Sequence, residues 1–165
     1  MEMVKVAEGN ILESKAQIIV QLVNDEGDLK NNIPPEINDQ YHHITREYVR
    51  YINNCRKNSI DTMGRICLIP LDVWAVGLVD VLKSNRIEVY DKDYQYIVCA
   101  FARTRTGKRY KIDYDSLKNC LRYICNKAQA VKADIAIPYS EMVENVVKEV
   151  FGKSTVNVTL YKNTY

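Results

Sequence analysis

Gly9–Asn24 reads GNILESKAQIIVQLVN, and its second half decides how the chain folds. From Ala16 to Val23 the run is nearly continuous in apolar and β-branched residues, interrupted only by Gln17 and Gln21. A strand with one wet face alternates apolar with polar, whereas one without that alternation is covered on both faces. Helices are therefore expected on both sides of the sheet that holds it. Upstream, Met3–Ala7 reads as a short first strand that Gly9 and Asn10 close. Downstream comes VNDEGDLKNNIPPEI, Val23–Ile37, at the strand-to-helix junction where α/β proteins commonly hold a phosphate on backbone N–H groups. It contains one glycine, four acids counting Glu36, and two prolines.

Working outward, Ile37, Tyr41, Ile44, Tyr48, Ile52 and Cys55 recur at three- and four-residue steps. That spacing predicts one helix of about five turns from Pro35, with Arg46, Glu47, Arg50 and Asn54 on its outer face. Arg65–Trp74 and Tyr94–Ala102 read as strands, the second apolar enough to be central. Ala75–Asp93 stays open between helix and strand, with RIEVY strand-like and YDKD turn-like. Asp113 is a natural N-cap for a helix that buries Leu117, Leu121, Ile124 and Ala128. Asp134–Pro138 is a short strand, Ser140 a cap for EMVENVVKEVF, and Val156–Tyr161 a last strand. The alternation predicts a single α/β domain over residues 1–165, three-layered as α/β/α with a mixed sheet.

Composition fits one core: the chain has 165 residues, 47% of them hydrophobic. A net charge of +2 is too even to make nucleic acid the default partner. Five cysteines without a CxxC pair, mostly inside apolar runs, point to buried thiols and a cytoplasmic location. No apolar run approaches a membrane span. Adjacent His42 and His43 lack the i, i+4 spacing of a metal pair, so a surface or packing role is expected and no metal. Cys67 and Cys99 read as core. The tyrosines at helical spacing, Tyr41, Tyr48 and Tyr51, read as half-buried; Tyr48, Tyr51 and Trp74 would suit a protein interface if exposed. RTRTGKRYK, Arg103–Lys111, is either a phosphate or nucleic-acid clamp following Phe101 or, by default, a solvated connecting loop.

Taken together, GNILESKAQIIVQLVN, YIVCAFARTRTGKRYKIDYDSLKNCL, IAIPY and VTLYK resemble the bacterial and phage macrodomains in order and spacing. The resemblance covers roughly two-thirds of the chain. It implies an α/β/α fold that holds ADP-ribose above the strand ends and, in many members, hydrolyses ADP-ribose linked to another group. It places Asn10 where the family usually has an Asp for the adenine amino group, Asn24 at the distal ribose, and Tyr161 near a residue that often stacks on adenine.

Departures from the family pattern fall on the phosphate loops. An ungapped comparison keeps Gly27 but puts Lys30 and Asn32 where glycines are usual. Lysine does not readily take the positive φ that glycine allows. Pro34 and Pro35 remove two N–H donors at the helix start, and Asp25, Glu26 and Asp28 add negative charge. After Tyr139 the family's second glycine-rich loop is missing, because Ser140 and the helix follow at once. The candidate ligand residues are thus Asn10, Asn24, Gly27, Lys30, Asn32, Phe101, Arg103, Tyr139 and Tyr161, with Lys30 or Arg103 serving any remaining phosphate. The expected function is binding of an ADP-ribose-type nucleotide or derivative with hydrolase activity lost. A protein-interaction module of phage or mobile-element origin and an active ADP-ribosyl hydrolase stay open as alternatives. The expected partners are a small molecule or another protein, without a cofactor or a membrane.

Overall fold

Two strands, β2 (Ile18–Val23) and β4 (Tyr96–Phe101), lie side by side and parallel at the centre of a sheet, in register from Ile18 opposite Tyr96 to Val23 opposite Phe101. The computed structural model describes residues 3–27, 32–33, 35–72 and 95–162. Around the central pair are β1 (Val4–Glu8), β3 (Ile66–Pro70), β7 (Ile135–Pro138) and β8 (Val158–Lys162), in the sheet order β1-β8-β7-β2-β4-β3. Only β3 runs antiparallel to its neighbour, which makes the sheet mixed, as the sequence predicts.

Period-two alternation sorts each central strand between two cores. Ile18, Val20, Tyr96, Val98 and Ala100 face one way, under Leu117, Leu121 and Ile124 of α3 (Tyr114–Val131) and Val143, Val146 and Phe151 of α4 (Glu141–Phe151). Ile19, Val23, Ile97, Cys99 and Phe101 face the other way, under Ile37 of α1 (Pro35–Gln40) and Ile44, Tyr48, Tyr51 and Ile52 of α2 (His42–Lys57). The apolar run that opened the sequence reading is covered on both faces, and the layers are α/β/α. Asp113 caps α3 by accepting from Ser116 N at 3.0 Å, and Ser140 caps α4 by accepting from Val143 N at 3.2 Å. Both caps sit where the sequence puts them.

Three expectations are corrected. The single helix from Pro35 is two, because Tyr41 at φ −135°, ψ 75° is not helical. Across that break Thr45 Oγ1 donates to Asn38 Oδ1 at 2.7 Å, and His43 turns inward so that its Nε2–H donates to Pro70 O at 2.7 Å. Glu47 is buried rather than outward; Arg46 Nε and Arg50 Nη1 reach its two carboxylate oxygens at 3.4 and 3.3 Å and offset the cost of desolvating it. RTRTGKRYK is not an irregular connecting loop but an antiparallel hairpin, β5 (Arg103–Thr106) with β6 (Arg109–Ile112). Gly107 at φ +64° opens its two-residue turn, a conformation an L side chain rarely takes. The open segment Ala75–Asp93 and Trp74 lie outside the described residues, and no helix among those described is long and apolar enough to cross a membrane.

Candidate functional site

All five parallel strands end on the same side of the sheet, and α3 and α4 begin there. Strand ends of an open α/β sheet are where backbone groups and helix N-termini become available to a ligand. Most of the candidate residues fall at this end, carried by the last residues of β4 and β8 and by the segments that follow β1, β2, β4 and β7.

Asn24, directly after β2, is the most constrained. It is 2% exposed, and its Oδ1 accepts from Glu26 N at 3.0 Å and from Asn32 Nδ2 at 2.8 Å. Its backbone N donates to Asn32 Oδ1 at 2.6 Å, and its backbone O accepts from the Tyr48 hydroxyl at 2.6 Å. Both contacts of the Asn32 amide are thereby assigned, which fixes the orientation of the Asn24 amide as well. The remaining donor, Asn24 Nδ2, is buried and has no hydrogen-bond partner. Buried polar groups are nearly always paired, so an unpaired one asks for a partner the protein itself lacks.

Asn32 corrects an expectation. Expected at a phosphate position, it is instead 4% exposed and spends both ends of its amide on Asn24. A side chain takes over there the loop-shaping that glycine would do through backbone conformation. Gly27 keeps the glycine role, with φ +75° and open space where a Cβ would stand. Lys30 lies outside the described residues.

Phe101 is also corrected. It is fully buried, stacked on Tyr48 at 6.0 Å and on Tyr51 at 5.5 Å between ring centroids, so it supports the site from below and does not face a ligand. Tyr48 and Tyr51 are buried with it, which removes the interface reading for both. Burial raises the Tyr51 hydroxyl pKa, reinforced by Cys55 and Cys67 nearby. Burial likewise pushes the Cys99 thiol up to about 12, inert as a nucleophile.

At the other rim, Tyr139 N donates to Tyr161 O at 2.8 Å. The two half-buried rings take opposite faces of the sheet: Tyr161 packs on the α1/α2 side, together with Leu12, and Tyr139 packs on the α3/α4 side with Lys162 Nζ 4.8 Å from its ring centroid. Tyr161 therefore shares the side of Asn24 and Asn32, and Tyr139 does not. Asn10 is exposed, and its Oδ1 already accepts from Leu12 N at 2.9 Å to cap a short 3-10 turn, Ile11–Glu13. One lone pair of that oxygen is left for a base. Between β7 and α4 stand only Tyr139 and Ser140, so the connection is as short as the sequence indicates.

Sequence reading missed how the acids of the loop are held. Asp25 Oδ2 accepts from Thr62 Oγ1 at 3.0 Å, and Asp25 O accepts from Arg56 Nη2 at 2.6 Å. Glu26 Oε2 accepts from the Tyr110 hydroxyl at 3.1 Å and pairs with Arg105 Nη1 at 3.3 Å. Much of the repulsion expected of these acids is thus met by partners. The signal was present: Arg103 and Arg105, and Tyr110 and Ile112, alternate about a Gly107 turn as hairpin strands do.

No family model matches this sequence, and no curated protein matches it. Solved structures do. The chain superposes on a macrodomain protein of Streptomyces coelicolor with TM-score 0.69 at 11% identity, over 95% of this chain and 98% of that one. It superposes on the DarG macrodomain of Mycobacterium tuberculosis with TM-score 0.67 at 15% identity, over 98% of each chain. The protein has the macrodomain fold. A third match to that fold is Thermosipho africanus DarTG, solved in complex with ADP-ribose, with TM-score 0.62 at 15% identity. There the similarity takes in 96% of this chain and 41% of the longer one. At these identities the likeness speaks for the macrodomain fold and leaves the chemistry to the residues described above.

Proposed function

We infer that this macrodomain-like chain binds an ADP-ribose-type nucleotide at its strand ends and does not hydrolyse it. The observation that carries the reading is the Asn24 amide, buried, locked by Asn32 and left with one unpaired donor. An unmade buried hydrogen bond costs about 1–3 kcal/mol, which a ribose hydroxyl accepting from Nδ2 would remove. Tyr161 on the same side offers a ring for a base, with Asn10 at the neighbouring strand end, Gly27 a bare backbone, and Lys30 or Arg103 a charge for phosphate. The reading that hydrolysis is lost is supported by the short Tyr139–Ser140 connection, since a hydrolase must hold the distal ribose against a positioned water.

Binding is expected to be weak. Losing even three charge-assisted hydrogen bonds from the diphosphate site, at ~1.5 kcal/mol each, would weaken affinity roughly a thousandfold. Titration calorimetry with ADP-ribose should give a dissociation constant above the micromolar range, and Asn24→Ala should abolish the signal. Submicromolar binding, or binding indifferent to Asn24→Ala, contradicts the reading.

A second reading, a protein-interaction surface, is favoured by a different part of the molecule. Tyr114 and Tyr123 are 43% and 41% exposed on α3, and the same helix lends Lys118 and Arg122 to two concavities of about 430 and 330 Å³. Aromatic and arginine side chains are enriched at interfaces.

A further inference from the structure

The β5–β6 hairpin is placed to act on the same ligand as Asn24. Its register sets Arg103 opposite Ile112 and Arg105 opposite Tyr110, so these four share one face. That face meets the loop after β2, where Arg105 and Tyr110 converge on one oxygen of Glu26, at 3.3 and 3.1 Å. The Arg103 guanidinium carbon stands 4.9 Å from the Tyr110 ring centroid. Ala102 N donates to Val23 O at 3.2 Å, so the pairing of β2 with β4 runs past the last strand residues and brings Arg103 alongside Asn24–Gly27.

We propose that this hairpin is a side-chain phosphate grip, in which Arg103 contacts the anionic part of a nucleotide and Glu26 is a positioning residue acting through Tyr110 and Arg105. The proposal rests on the nucleotide reading of the Asn24 site and adds which side chains hold the diphosphate and what positions them. Its physical basis is substitution of one donor set for another. Pro34 and Pro35 lack a backbone N–H, and Lys30 and Asn32 stand where glycine would let the backbone approach an anion closely. A guanidinium presents a planar fork of donors that matches a phosphate. Stacking on Tyr110 limits the rotamers Arg103 samples, which lowers the entropy lost on binding. Glu26 explains itself in the same scheme. A free carboxylate at this rim would repel a diphosphate, but one bonded to Arg105 and Tyr110 has its charge offset and fixes the hairpin to the loop.

The test compares ADP-ribose and adenosine by calorimetry on the wild-type chain, Arg103→Gln, Glu26→Ala and the double variant, with thermal unfolding to confirm that each is folded. Arg103→Gln should weaken ADP-ribose by about tenfold and leave adenosine within about twofold, since only the first ligand has phosphates. Glu26→Ala should weaken ADP-ribose by about threefold, and the double variant should be no worse than Arg103→Gln alone, because Glu26 holds the Tyr110 ring on which Arg103 stacks. ADP-ribose binding undiminished in Arg103→Gln, an equal loss for adenosine, or tighter binding in Glu26→Ala overturns the grip while leaving the Asn24 site standing. Failure of the wild-type chain to bind either ligand overturns the nucleotide reading and the grip with it.

Discussion

The two rims of the strand-end site are built in opposite ways. After β2 side chains hold the loop: Asn32 clasps Asn24, the Tyr48 hydroxyl holds the Asn24 carbonyl, and Glu26 fastens the hairpin. After β7 the connection is two residues long. The chain passes from Pro138 through Tyr139 and Ser140 into α4, and the Ser140 hydroxyl is used on Val143 N. One rim is held by side chains, and the other is no longer than a helix needs to begin. The proposed reading, binding without turnover, rests on that asymmetry.

The comparison breaks most readily from beneath the rebuilt rim. Phe101→Ala empties the layer on which Tyr48 and Tyr51 stack and should cost about 3–5 kcal/mol of stability, read as a lower denaturation midpoint with an unchanged slope. A change under ~1 kcal/mol would mean that Phe101 does not support the loop. Next in size, Asn32→Ala removes both bonds of the Asn24 clasp and leaves Asn24 N and Oδ1 short of partners, a loss of about 1–3 kcal/mol. Asn24→Ala and Asn32→Ala should be strongly non-additive when combined, since each destroys the same pair. Additive losses would show that the two asparagines act independently.

The smallest effect lies at neither rim but at the α3 cap beside them. The Asp113 carboxyl is held below its ordinary pKa, first by the Ser116 hydroxyl, then by Ser116 N, with Lys111 adding to it. A carboxylate whose folded pKa is depressed stabilises the fold above its unfolded pKa, and that contribution fades as pH falls through the lower, folded value. Unfolding midpoints measured from neutral to acid pH should therefore show a small acid-side decline that Asp113→Asn flattens. An identical profile for both proteins would remove the cap from the account.

How far the fold could be read depended on the range of the interactions involved. The two-sided burial of Ile18–Val23, the caps Asp113 and Ser140 and the direct passage from IAIPY into α4 are local, and sequence carries them. The break at Tyr41 was hidden because Ile37, Tyr41 and Ile44 keep helical spacing across it, while the His43 contact with Pro70 just beyond it spans 27 positions. Phe101 looked available because it ends a strand, yet the rings that cover it come from α2, elsewhere in sequence. The Glu26 contacts with Arg105 and Tyr110 join residues 79 and 84 positions apart. Composition read those charges as repelling a phosphate, because their partners become visible only once the hairpin is placed.

Turnover tests the asymmetry most directly. Protein carrying ADP-ribose should be incubated with a molar excess of the chain and the supernatant assayed for free ADP-ribose, alongside Glu141→Gln. Glu141 is the first residue of α4 and is exposed. The account predicts no release of ADP-ribose by either protein. Release by the wild-type chain that Glu141→Gln abolishes would contradict it, and would mean that the start of α4 has taken over the work of the missing loop.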